Sequence, residues 1–507
     1  MKHRSSTPII ASIHTYIRQA SGWLYLVPII GIAIYTRLIY LTKADIWHDE
    51  GYTAMLIKQP LADIISIATT DVHPPLYYIL MHMWYVLFGD TVTALRGFSV
   101  VCGIATIILL FFLTQKLFSK KIAVVGAFFA AIGPFLVRYS DEARMYALAA
   151  LIGVAATYVF VKAVASTSTG GKRWWLVYGA LMAAGMYTQY FLALLLPAHF
   201  IYLWLSLGGT KPALIKLTRH SGVWISAITC FLLFLPWLPV MILQTTNIGG
   251  GFWIPPIDHY SIANTLSMYL SYSYHLTDYL NVALPLIFII TSYAIGKTFP
   301  AIRAAVWLLT FWIFIPMIVV ALLSLRQPIY LDRYFTYSAP AFYVLLSVIV
   351  CTIDAAKARW RRVLAAALTL CLSICMYYVG LANIAAAAWN QTSLTMSHIN
   401  RHKRPGDQIV STEVYTYFNT SYYNTTTQPL TLLSPEGDAG WGEWGLIRKL
   451  NVPQVPSFSA IPPGRIWLIT RTKYHEDFMK QLPNTWRLQQ AFFDGDLIVG
   501  LYDIQNI

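Results

Sequence analysis

Apolar stretches of about 20 residues, long enough to cross a bilayer core, recur along most of this chain. Few ionisable residues fall inside them. Such a chain has no good fold in water, and its composition agrees: 11% of residues are charged and 57% hydrophobic, where soluble domains carry about 25% charged residues. Eleven spans can be counted, at 23–40, 94–114, 122–137, 146–164, 174–187, 190–207, 223–243, 279–295, 304–325, 335–353 and 363–382. The expected fold class is a polytopic α-helical membrane protein with about eleven transmembrane helices. Near residue 390 the composition turns soluble, which predicts a transmembrane domain over 1–389 and a small extracytoplasmic α/β domain over 390–507. In the latter, strands are expected at 408–411 and 465–470, a helix at 475–482 and a hairpin turning at Asp494-Gly495-Asp496.

Charge placement sets the orientation. Eighteen of the 36 Lys and Arg residues lie in alternate connections, with Asp354 the only acid among them. The net charge of +14 therefore reads as a positive-inside bias rather than a nucleic-acid surface. It puts the N-terminus in the cytoplasm, and the first long loop, 43–92, and the C-terminal region outside. The first span reads as retained rather than as a cleaved signal. All five cysteines fall in or beside spans, so none is placed for a disulfide in the external part.

The chemistry concentrates at the outer ends of the spans. Loop 43–92 holds Trp47-His48-Asp49-Glu50 and Asp71-Val72-His73-Pro74-Pro75-Leu76, with a helix expected at 61–68 and an interfacial one at 76–88. Arg138-Tyr139-Ser140-Asp141-Glu142-Ala143-Arg144 puts four ionisable residues into seven positions between two spans, where each is costly without a partner. Arg326 and Arg333 stand on the side the charge rule disfavours, and the planar guanidinium suits a phosphate. Segment 244–278, with Gly249 to Gly251 and a tyrosine cluster, suits a loop over a lipid-facing cleft. For sugar transfer from a phosphate leaving group one carboxylate must act as base. Asp49 is the candidate, with Glu50 as orienting or metal-binding neighbour. His73, Arg144, Arg326 and Arg333 would hold the phosphate, and Asp141 and Glu142 would form a second acidic wall.

The Asp-Glu pair after the first span and the Asp71 to Leu76 run resemble the protein O-mannosyltransferases and bacterial aminoarabinose transferases of the C-type (GT-C) glycosyltransferases. Glu142 to Tyr146 and Asp332-Arg333-Tyr334 are similar to stretches in bacterial members, and the likeness covers about residues 20 to 350. It implies a GT-C-like fold, a polyprenyl-phosphate sugar donor, inverting transfer outside the cytoplasm and Asp49 as general base. The acceptor, a lipid, glycan or protein, stays open. Aminoarabinose transferases carry an acid and a lysine where this chain has Val72 and His73. A divalent ion at Asp49, Glu50, His73 or Asp141 is therefore compatible with the pattern without being required by it. An oligosaccharyltransferase-like enzyme and a polyprenyl-lipid or polysaccharide transporter are the alternatives. The first lacks its Trp-Trp-Asp-Tyr-Gly signature here, and the second expects midplane acids and repeated halves.

Overall fold

Thr91 starts the first long span, Val92–Leu117: its side chain accepts the Ala94 amide and caps the helix. The computed structural model describes residues 24–166, 171–247, 254–274, 283–354, 358–387, 391–437, 440 and 442–504. Its first helices are α1 (Leu24–Leu38), α2 (His48–Leu56), α3 (Leu61–Thr70), α4 (Leu76–Phe88), α5 (Val92–Leu117), α6 (Lys120–Ile132), α7 (Pro134–Ser140) and α8 (Tyr146–Ala165). The interfacial helix expected at 76–88 is α4, and the one expected at 61–68 is α3. Helix α2, which carries Asp49, was not expected.

Six helices among the described residues are long and apolar enough to cross a membrane, or seven if α6 and α7 are one bent span. That corrects the count of eleven. Each of the other positions is helical, but length or composition falls short. Helix α1 and Ala283–Thr298 are among the shorter apolar helices, and Gly171–Thr188 opens on Lys172 and Arg173. The run at 190–207 is broken into a 3-10 turn, Tyr190–Leu194, and a helix, Leu195–Ser206. Apolar composition measured how far the chain avoids water, not how far each helix runs.

The bend between α6 and α7 is 55°, and its cause is local. Pro134 has no amide to continue the ladder, and Gly133 touches the Tyr343 ring so closely that a Cβ would lie 2.3 Å from it. The Ala131 carbonyl that the break releases accepts instead from Thr36 Oγ1 at 2.9 Å and Arg37 Nη1 at 3.1 Å. Inside a membrane such side-chain donors are what an irregular backbone needs. The bend turns residues 141–145 inward, and all five are buried.

A second irregular segment, the 3-10 stretch Asp332–Ser338, follows α9 (Arg303–Ser324) and leads into α10 (Ala339–Asp354). Trp312 Nε1 donates to the Tyr337 carbonyl at 2.9 Å and Tyr269 OH to that of Phe335 at 2.7 Å. Buried tyrosines and a tryptophan thus hold Arg333 in place. Spans Ser221–Thr246 and Arg359–Ala386 lie at the periphery, with Ile228, Phe231, Leu232 and Leu370 exposed. Gly249 to Gly251 and Tyr279 of the expected covering loop lie outside the described residues.

The C-terminal part builds a six-stranded sheet in the order β3-β2-β1-β4-β6-β5. Strands β1 (Gln408–Ser411), β2 (Thr431–Leu433), β3 (Gln454–Val455) and β4 (Gly464–Arg471) are parallel neighbours, while β5 (Trp486–Asp494) and β6 (Leu497–Ile504) form an antiparallel hairpin on β4. The crossover from β1 contains α11 (Val414–Tyr423), which packs on α2. Gly51 allows this: a Cβ there would lie 2.7 Å from Phe418 and Asn419 backbone atoms. Tyr423 OH accepts from the Ile46 amide and Tyr422 OH donates to the Asp90 carbonyl. Loop 43–92 and the C-terminal sheet therefore meet as packed partners.

Candidate active site

Asp49 lies in the first turn of α2, with Arg144 Nε 3.7 Å and Arg333 Nη1 3.5 Å from the same carboxylate oxygen. Burial alone would raise this carboxyl. The two arginines, with His48 and His73, overcome that and hold it below its ordinary value. Arg144 is itself buried and fixed by Tyr78 OH at 3.2 Å. Asp71, which takes the Val72 amide and the Tyr78 hydroxyl, orients that tyrosine in turn. Arg333 spreads over the Trp47 and Tyr146 rings. Its neighbour Asp332 faces Thr265 and Tyr274.

Glu50, expected beside the base, faces elsewhere. Its two oxygens take a fork from Arg96, at 2.8 and 2.7 Å, and one also accepts the Ala143 amide at 2.8 Å. Arg96 in turn donates to the carbonyls of Leu41, Ala44 and Asp45. Glu50 therefore ties α2 to α5 and to the 141–145 connection, and both its oxygens are turned away from the Asp49 carboxylate.

The neighbours of Asp49 line two cavities. One, of about 520 Å³, is largely apolar and includes His73, Gln189, Leu322, Arg326 and Tyr334. His73 and Arg326 are thus brought together, apart from the Arg144–Arg333 pair. The other, of about 410 Å³, is polar and aromatic and includes Trp47, Arg138, Asp141, Glu142, Arg333 and Tyr415. Glu142 pairs with Arg138 at 2.9 Å. Asp141 has no hydrogen-bond partner for either carboxylate oxygen among the described residues, and burial pushes its carboxyl up to about 8 against the pull of Arg37, Arg138 and Arg96.

His48, Asp49 and Glu443 bring one ligand atom each within 4.8 Å of one another. His48 Nδ1 sits 3.0 Å from the Tyr415 carbonyl, so a proton there leaves Nε2 with a lone pair turned to Glu443, the arrangement of a metal-bound imidazole. A divalent ion fits this donor set, and so does a proton shared by His48 and Glu443. Of the ligands expected from sequence, Asp49 alone belongs to the cluster. Glu50, His73 and Asp141 do not.

Residues 72–239 match the family model of dolichyl-phosphate-mannose-protein mannosyltransferases. ArnT from Cupriavidus metallidurans in the apo state superposes with a TM-score of 0.61 at 14% identity, covering 95% of this chain and 98% of that one. The same enzyme bound to undecaprenyl phosphate gives 0.60 at 13%, with the same coverage. The fold is that of the GT-C glycosyltransferases. An Archaeoglobus fulgidus oligosaccharyltransferase, solved in complex with Zn and sulfate, shares the GT-C fold at a TM-score of 0.55 and 14% identity, covering 95% of this chain and 73% of that one. A search of curated proteins finds no match. On this frame His48, Glu443, Asp71, Tyr78 and Arg96 surround Asp49 and its arginines, and none of them was assigned a role from sequence. His48 and Asp71 stand inside the two quoted motif runs without a role having been given to them, and nothing local points to Glu443 as a partner of His48.

Proposed function

We propose that the protein transfers one sugar, with inversion, from a polyprenyl-phosphate carrier to an acceptor hydroxyl at the outer membrane face, with the N-terminus in the cytoplasm. The observation carrying this reading is the position of Asp49: a partly exposed carboxylate held below its ordinary pKa by two arginines, with neighbours lining an apolar cavity and a more polar one. The apolar cavity suits an isoprenoid chain, with His73 and Arg326 beside its phosphate. Arg144 and Arg333 are the cations nearest the base and stabilise the charge that develops on the leaving phosphate. Asp49 takes the acceptor's hydroxyl proton as that oxygen bonds to the anomeric carbon. The bond from that carbon to the phosphate oxygen breaks, and polyprenyl phosphate leaves with the electron pair. His48, Glu443 and one Asp49 oxygen would hold a divalent ion, which would supply positive charge to the site, the other Asp49 oxygen being left to take the proton.

The test uses purified protein in lipid nanodiscs with a panel of polyprenyl-phosphate sugars, followed by mass spectrometry. One of them should be consumed. Asp49→Asn should still bind it while turnover falls by about 10²- to 10⁴-fold, the usual contribution of a general base. Near-normal turnover in that variant rejects the assignment.

A further inference from the structure

The polar cavity of about 410 Å³ is built differently from its apolar neighbour. Its wall comes from both parts of the chain: Tyr40, Trp47, Tyr139 and Tyr272 from the membrane part, and Tyr415 and Asp496 from the C-terminal sheet and its crossover helix. Tyr415 stacks on His48 with ring centroids 4.7 Å apart, and Arg471, itself forked onto Glu413, lies over its other side at 4.0 Å. Tyr272 takes a left-handed backbone, φ 51°, at the end of the helix Ser261–Ser271. Asp141 lines the same cavity at 6% exposure with both carboxylate oxygens unpartnered among the described residues. Native proteins rarely leave a buried polar group so, and the exceptions ask for a ligand or a role.

We propose that this cavity is the acceptor subsite, that it takes the sugar end of a glycan, and that the C-terminal part selects the acceptor through Tyr415 and Asp496. This rests on the glycosyltransferase reading and adds the acceptor class to it. Rings on this wall can pack on the C–H surfaces of a pyranose; Tyr415, its ring flanked by His48 and Arg471, offers its hydroxyl instead, and carboxyl groups on the same wall offer partners to the sugar hydroxyls. A hydroxyl both donates and accepts. Asp141, pushed up to about 8 by burial, is protonated near neutral pH and can do both as well. At about 410 Å³ the cavity sits at the low end of the ~300–1,000 Å³ range of ligand sites, which admits the end of a glycan rather than its whole length.

The test is saturation-transfer NMR on the full-length protein in nanodiscs, with a panel of neutral trisaccharides of differing linkage and a serine- and threonine-containing heptapeptide as probes. Undecaprenyl phosphate binding is measured in parallel. At least one trisaccharide should bind, and Asp141→Ala and Tyr415→Ala should each weaken it at least tenfold while undecaprenyl phosphate affinity stays within twofold. Asp496→Ala, in an exposed turn, should shift the preference among trisaccharides, and it decides the matter if Asp141→Ala does not fold. No trisaccharide binding, binding indifferent to these variants, or heptapeptide binding lost in the same variants overturns the proposal. Trisaccharide binding without undecaprenyl phosphate binding would leave this subsite standing and remove the donor reading.

Discussion

Asp49 and Glu50 are adjacent in the chain and do opposite work. The carboxylate of Asp49 is depressed by Arg144 and Arg333, so it is charged through the neutral range, and the stability that the pairing contributes fades only as acid protonates it. Under the proposed mechanism a donor phosphate would compete for the same arginines. Once they turned to it, Asp49 would lose their support and titrate higher. The acid limb of kcat should therefore lie at higher pH than that of kcat/KM, since the two report bound and free enzyme. Coincident limbs would mean that the arginines never leave Asp49. Glu50→Ala should act on stability first, because it strands the buried Arg96 guanidinium. A loss of about 3–5 kcal/mol is expected from breaking such a pair, read as a drop in unfolding temperature. The sequence made Asp49, Arg144 and Arg333 legible, since ionisable groups at the ends of apolar spans are costly to keep idle. Arg96 was hidden because it lies inside a span and looked like part of the frame.

At the level of elements, α2 matters most and was the least visible. Its nine residues have no apolar periodicity to betray a helix, because almost every side is covered, by Arg96, Tyr78 and α11 in turn. Gly51 is the point of closest approach. Gly51→Ala should force α11 away from α2 at a cost of about 1–3 kcal/mol. Hydrogen exchange along 414–423 should rise, with turnover falling alongside. Unchanged exchange would show that the two helices are not coupled. Strand β1 was read from sequence at its observed bounds and the hairpin at its turn, both being short runs marked by turn residues. Strands β2 and β3, at three and two residues, are too brief to leave a pattern. The span count failed for a different reason: Gly133-Pro134 bends one expected span, the 3-10 turn Tyr190–Leu194 shortens another, and α1 and Ala283–Thr298 are shorter than their apolar composition suggests.

Across the whole molecule, the His48–Glu443 contact joins residues 395 positions apart, a pairing that no local pattern announces. If a divalent ion occupies it, metal analysis of chelator-treated and zinc-titrated protein should find one site per chain. His48→Ala and Glu443→Ala should each abolish that site. Metal-free protein with full turnover would assign the contact to a shared proton. The GT-C frame itself was legible, because it is written in spans and in motifs at their ends. The join between the two parts was not.

That join also limits how such an enzyme can be re-engineered. Because glycine in one half is matched to backbone in the other, a chimera taking its distal portion from a cousin must import the cousin's segment around position 51 too. Otherwise the imported helix would press on α2 and shift Asp49 from its arginines.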